Sequence, residues 1–77
     1  MSVTIILFGQ LTDIAGSETI TVEQVGDTDS LTVAVNQLYP AMAGIKYMIA
    51  VNKKVVKENT AINASSNLVL LPPFSGG

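Results

Sequence analysis

One stretch of helical periodicity sits among five short strand-like runs, and this arrangement constrains the fold more than any other feature of the chain. Leu31, Ala34, Val35 and Leu38 recur at the i, i+3, i+4, i+7 spacing of one helix face. Gly26-Asp27-Thr28-Asp29-Ser30 supplies turn and N-cap chemistry before them, and Tyr39-Pro40 closes the segment after about three turns. Thr32 and Val33 are poor helix formers, so such a helix must be held by packing against a sheet. Strand runs flank it. Residues 3–8 (Val-Thr-Ile-Ile-Leu-Phe) read as a mostly buried strand ended by Gly9, and residues 18–23 alternate Ile20 and Val22 against Thr19, Thr21 and Glu23. The connection, Gln10 to Gly16, is read as a loop longer than a tight turn, whose Leu11 and Ile14 pack on something. After the helix come residues 47–51, a turn at Asn52-Lys53-Lys54, the pair Val55-Val56, a polar stretch from Lys57 to Asn67 anchored by Ile62, and a last strand over residues 68–71.

The order strand, strand, helix, strand, short strand, strand predicts a mixed sheet with one helix on one face. A crossover through the helix should set the following strand parallel to an earlier one. The expected class is therefore α+β, a β-grasp or ubiquitin-like arrangement: a mixed five-stranded sheet packed on one main helix, over residues 1–71. Residues 72–77 form a flexible C-terminal tail ending in Gly-Gly. With 77 residues there is room for one domain.

Composition narrows the chemistry. The chain has no Cys, His, Trp or Arg, which excludes a thiolate nucleophile, an imidazole base, a Cys/His zinc site and a disulfide scaffold. A self-contained enzyme is not expected. Four lysines against six acids leave a net charge of −2, the wrong balance for neutralising phosphates, so nucleic acid is not an expected partner. Apolar runs such as Ile5 to Phe8 are far below the roughly 20 residues that span a bilayer. The expected location is cytoplasmic. At 48% hydrophobic residues, a chain this small should leave an apolar patch that marks a partner site. Lys53, Lys54 and Lys57 read as solvated surface, Met42 and Met48 as core or interface filler, and Asn52 as a turn residue.

The tail is Pro72-Pro73-Phe74-Ser75-Gly76-Gly77. Two prolines stiffen its exit and two glycines remove every Cβ from its end, so it could thread a channel too narrow for side chains. Six residues past Leu71 reach about 20 Å when extended. Phe74 is the expected anchor at the channel mouth. Taken alone, a terminal Gly-Gly is also what a frayed end looks like.

Phe8-Gly9-Gln10-Leu11, Ile49-Ala50-Val51-Asn52 and Leu70-Leu71 with the tail resemble the MoaD/ThiS family of sulfur carriers, ubiquitin-like proteins that include the small subunits of molybdopterin synthases. The resemblance runs over nearly the whole chain and implies that the reacting group is the C-terminal carboxylate of Gly77. It further implies adenylation by an E1-like enzyme that uses ATP, conversion to a thiocarboxylate by a sulfur donor, and sulfur donation to cyclic pyranopterin monophosphate to form the molybdopterin dithiolene. Catalytic side chains would then belong to the large subunit, in a heterotetramer. This chain would be the sulfur-donating subunit and bind no cofactor of its own. Pro72, Pro73, Phe74, Ser75 and Gly76 are the implied partner-binding residues. The chain departs from the family pattern at Ala64-Ser65-Ser66-Asn67, where relatives commonly carry an acidic turn, and at Thr12-Asp13, where an Arg-Glu pair is frequent. Two alternatives stay open: a sulfur carrier for thiamine thiazole or another thiolation, and a ubiquitin-like binding or conjugating module in which Gly77 forms an isopeptide bond.

Overall fold

Strict alternation in the first strand divides the sheet into a core face and an outer face. In the computed structural model, which describes residues 2–72, β1 (Ser2–Leu7) buries Val3, Ile5 and Leu7 and turns Ser2, Thr4 and Ile6 outward. The expectation of a mostly buried strand is thereby corrected. One face of β1 stays uncovered although Ile6 and Phe8 are apolar. β2 (Thr19–Glu23) pairs antiparallel with it, from Ser2↔Glu23 to Ile6↔Thr19, and adds Ile20 and Val22 to the core.

The connection between them is a helix, α1 (Gln10–Ala15), and not a loop. Six residues cannot sustain a helix by propensity. Burial of Leu11 holds it, and Gly16 stops it in the left-handed region at φ 72°, its N–H donating to the Thr12 carbonyl at 2.8 Å. Leu11 and Ile14 do pack on the core, as read from the sequence.

The main helix, α2 (Thr28–Leu38), starts on a capping box. The Ser30 N–H donates to the Asp27 carboxylate at 2.9 Å, and the Asp27 N–H donates back to the Ser30 hydroxyl at 3.4 Å. Leu31 and Val35 are buried, but Leu38 lies 57% exposed, because the helix ends before its last apolar position is covered. A 3-10 turn, Pro40–Gly44, carries Met42 into the core. Met42 is thus core filler.

β3 (Met48–Val51), β4 (Lys54–Val56) and β5 (Leu68–Leu71) complete one sheet in the order β2-β1-β5-β3-β4. β5 runs parallel to β1, in register from Ile5↔Leu68 to Leu7↔Leu70, and antiparallel to β3. The strand after the helix therefore shares the direction of β2 but does not touch it. β5, whose Leu68 and Leu70 are at most 1% exposed, takes the centre of the sheet. Asn52 and Lys53, with φ of 51° and 72°, make the two-residue β3–β4 hairpin loop.

The stretch 57–67 has no regular element but is tied down. Ile62 is buried, its N–H donates to the Gly26 carbonyl at 2.9 Å, and Asn59 bridges the start of α2. Asn52 clamps the far end: its N–H donates to the Asn67 carbonyl at 2.8 Å, and its side-chain oxygen accepts the Asn67 N–H at 2.9 Å. Among the described residues no helix is long and apolar enough to cross a membrane.

Candidate functional site: where the C-terminal arm leaves the sheet

β5 brings the chain to Pro72 from the middle of the sheet, flanked on both sides. Leu70 lies opposite Leu7 of β1 and Ile49 of β3, and its carbonyl accepts the Phe8 N–H at 3.2 Å. Leu71 pairs with Met48. Pro72, which has no N–H to extend the ladder, ends the strand half-buried against the turn between β1 and α1.

That turn depends on glycine. Gly9 takes φ 60° and ψ −138°, a combination open almost only to glycine, and a Cβ placed there would come within 2.8 Å of Pro72 Cγ. The two residues fit because one has no side chain and the other has a fixed ring. Gly9 also starts α1: its carbonyl accepts the Thr12 hydroxyl at 2.8 Å and the Thr12 N–H at 3.1 Å. Pro72 thus meets a turn that opens a short helix, where the sequence predicts a loop.

Of the residues expected to act, the structure places Pro72 at this junction. Pro73, Phe74, Ser75, Gly76 and Gly77 lie outside the described residues. Gly9, Phe8 and Ile6 belong to the site and were not singled out from the sequence as site residues. The signal for Gly9 was present, since a glycine directly after a strand and before polar residues marks a backbone turn. Its contact with Pro72 spans 63 positions of sequence and only the fold reveals it.

Two surfaces adjoin the Gly9 turn. A cavity of about 510 Å³ opens beside it, between Phe8, Gly9 and Thr12 on one side and Glu18 and Thr19 on the other. The second surface is the outer face of the sheet. Registers put Ile6 beside Val69, Val69 beside Ala50, Ala50 beside Val55, and Leu71 beside Met48, so an apolar band crosses four strands on the side away from α2. Ile6 is 36%, Val55 47% and Phe8 50% exposed. Apolar surface gathered this way on a small domain marks a contact face.

The described residues contain no group of three or more His, Cys, Asp or Glu that could hold a metal ion. Asp27 and Tyr47 titrate away from their ordinary values for local reasons. Hydrogen bonds from Ser30 and then Asn59 hold the Asp27 carboxyl low, while burial pushes the Tyr47 phenol up. Both belong to the α2 framework and not to the arm. What the described residues offer is therefore placement: a rigid exit at Pro72 beside an apolar face of the sheet.

The ThiS family matches residues 5–77. The chain belongs to the ThiS family. Solved structures share the fold of this ThiS-family chain over almost its full length. Small archaeal modifier protein 1 from Haloferax volcanii is 29% identical, with a TM-score of 0.78 and all of both chains covered. A putative molybdopterin converting factor subunit 1 from Pyrococcus furiosus superposes at a TM-score of 0.85 with 15% identity, covering 96% of this chain and 99% of that one. Small archaeal modifier protein 1 from Methanosarcina acetivorans gives 0.81 and 21%, with 99% and 96% covered. The fold is that of ThiS- and MoaD-like sulfur carriers and of ubiquitin-like modifiers, and the β-grasp expected from the order of elements is the fold found.

Proposed function

We propose that this chain is a sulfur carrier, the small subunit of a molybdopterin synthase, working through the carboxylate of Gly77. The observation that supports the reading is the family match, whose range of residues 5–77 includes Gly76 and Gly77. The division of labour follows from composition. With no Cys or His on the chain, the body over residues 1–71 positions, and the arm over residues 72–77 reacts.

A carboxylate at neutral pH is a poor electrophile. An E1-like enzyme joins the Gly77 carboxylate to the α-phosphate of ATP, expelling pyrophosphate and leaving an acyl-adenylate. Sulfur at the sulfide level then attacks the acyl carbon and AMP departs, so one oxygen of Gly77 is exchanged for sulfur. The thiocarboxylate is ionised and nucleophilic at pH 7, as a low-pKa thiolate is. In the complex with the large subunit, the outer sheet face docks and Phe74 seats at the mouth of the partner's channel. Pro73, Ser75 and Gly76 thread inward, and the sulfur passes to cyclic pyranopterin monophosphate. Pro72, braced on Gly9, sets the direction of entry. Five residues beyond it reach roughly 17 Å when extended.

A second reading has its own support. The 29% identity to a small archaeal modifier protein over the full length of both chains favours a protein modifier, in which the same adenylate of Gly77 is captured by a lysine amine. The deciding measurement is the intact mass of the protein after incubation with ATP, a sulfur source and the host's adenylating enzyme, followed by large subunit and pterin precursor. Oxygen-for-sulfur exchange at Gly77, reversed when molybdopterin forms, is the expected result. Sulfur that loads but is not consumed transfers the role to thiazole synthesis or another thiolation. A mass adduct on other proteins without sulfur loading makes the chain a modifier. Deleting Gly76 and Gly77 should abolish loading and leave Tm nearly unchanged, and a large fall in Tm would mean that the arm is structural.

A further inference from the structure

The edge of the sheet farthest from β4 carries a second surface that neither the arm nor the outer face uses. β2 is an edge strand. The Leu7 N–H donates to the Glu18 carbonyl, and this fixes which β2 residues bond to β1. In an antiparallel ladder bonded and non-bonded pairs alternate, so Ile20 and Val22 spend their backbone groups on β1, while Thr19, Thr21 and Glu23 point theirs at the open edge. Thr19 is already capped, since the Ser17 hydroxyl accepts its N–H at 3.3 Å and donates to its carbonyl at 2.8 Å. Thr21 and Glu23 have no such cap among the described residues.

The groove lies where the edge stays open. A depression of about 510 Å³ is lined by Thr21, Val22 and Glu23 of β2 and by Ala34, Gln37 and Leu38 of α2. Leu38 is 57% exposed at its rim, an apolar side chain that the chain's own core does not take up. An open strand edge beside an apolar groove is the geometry in which an extended peptide adds a strand and buries alternate side chains.

Charge selects the peptide. Every lysine falls between residues 46 and 57, whereas residues 1–45, which build β1, α1, β2 and α2, carry Asp13, Glu18, Glu23, Asp27 and Asp29 and no basic residue. Residues 1–45, which supply both walls of the groove, therefore have a formal charge of −5, residues 46–77, with four lysines and Glu58, one of +3, and Glu23 is the charged side chain that lines the groove. We propose that the groove between β2 and α2 docks an extended segment of a partner protein with alternating apolar side chains and lysine or arginine between them. Its backbone pairs with Thr21 and Glu23, its apolar side chains lie against Val22, Ala34 and Leu38, and its cations face Glu23. The lining of this surface includes neither Gly9 nor Pro72, and the proposal holds whichever chemistry Gly77 performs.

The probe is a capped seven-residue peptide of alternating valine and lysine, titrated at low salt into the full chain labelled with nitrogen-15. Saturable shifts confined to β2 and the C-terminal half of α2, with slowed hydrogen exchange at the Thr21 amide, are expected. Glu23→Lys and Leu38→Asp, both changes at exposed or rim positions, should each weaken binding at least tenfold with Tm unchanged. A valine–glutamate peptide should bind at least tenfold more weakly. Equal binding of the acidic peptide, shifts that map to the outer sheet face, or variants that bind as the parent does would overturn the proposal. So would β2 shifts that appear on concentrating the protein without peptide, since a second copy would then be the occupant through its own Lys54–Val56 edge.

Discussion

Gly9 is the residue on which the exit of the arm turns. It combines a backbone conformation almost closed to other residues with a site where a Cβ would strike Pro72. Gly9→Ala should therefore lower unfolding stability by about 2 kcal/mol in urea titration, of the order seen for residues forced into sparse backbone regions. On the proposed sulfur-carrier reading it should also slow sulfur transfer more than the stability loss accounts for, because Pro72 must move. A variant as stable as the parent would show that the turn relaxes freely. Asp27 acts at the same scale through protonation. Its carboxyl is held below the ordinary value of 3.8 by the Ser30 hydroxyl and N–H and by Asn59. A depressed folded-state pKa means that the contribution is complete above the unfolded value and is lost as pH falls below about 3.8 toward the folded value. Tm measured against pH for the parent and Asp27→Ala should show a gap at pH 6 that narrows in this acid range. A gap that stays constant with pH would assign the effect to packing.

At the scale of elements, Asn59 is one of the side chains that tie the irregular stretch 57–67 to the start of α2. The Asn59 oxygen accepts the Asp29 N–H at 2.9 Å and lies 3.4 Å from the Thr28 hydroxyl, while its amide donates to Asp27 at 3.2 Å. Asn59→Ala should cost about 1 to 2 kcal/mol, one or two net hydrogen bonds with charged or buried groups. It should also raise hydrogen exchange at residues 59–62 before the sheet opens. Uniform loss of protection across the protein would instead mean that the stretch unfolds only with the whole. The element missed from sequence, α1, shows where pattern reading stops. Its core face amounts to Leu11, Ile14 and Ala15, too few positions to separate a helix from a loop, and its stability comes from burial of Leu11 under contacts made elsewhere. By contrast α2 was legible from two turns of periodicity and from the cap residues within Gly26–Ser30, although the structure puts the cap at Asp27 and starts the helix at Thr28.

For the whole molecule, the decisive feature is a sheet covered on one face. Ile6→Asp changes a position 36% exposed on the uncovered face. It should leave Tm within a few degrees while weakening the complex proposed with a large subunit at least tenfold, measured by calorimetry, since a charge is then desolvated inside an apolar contact. Unchanged affinity would move the docking face elsewhere on the molecule.

What the sequence by itself determined is what local chemistry encodes. Period-2 alternation in β2, the cap and period of α2, the turn at Asn52-Lys53, the lone anchor Ile62 and the proline stop after Leu71 are all short-range patterns, and each names its element without reference to the rest of the chain. The absence of Cys and His likewise excluded whole classes of side-chain chemistry before any fold was known. Tertiary structure alone decided which strand takes the centre, that Ile6 faces outward although its neighbours are apolar, and that Gly9 meets Pro72. Those outcomes depend on which surfaces compete for burial once distant segments meet, a comparison of many contacts across the chain that no local window contains.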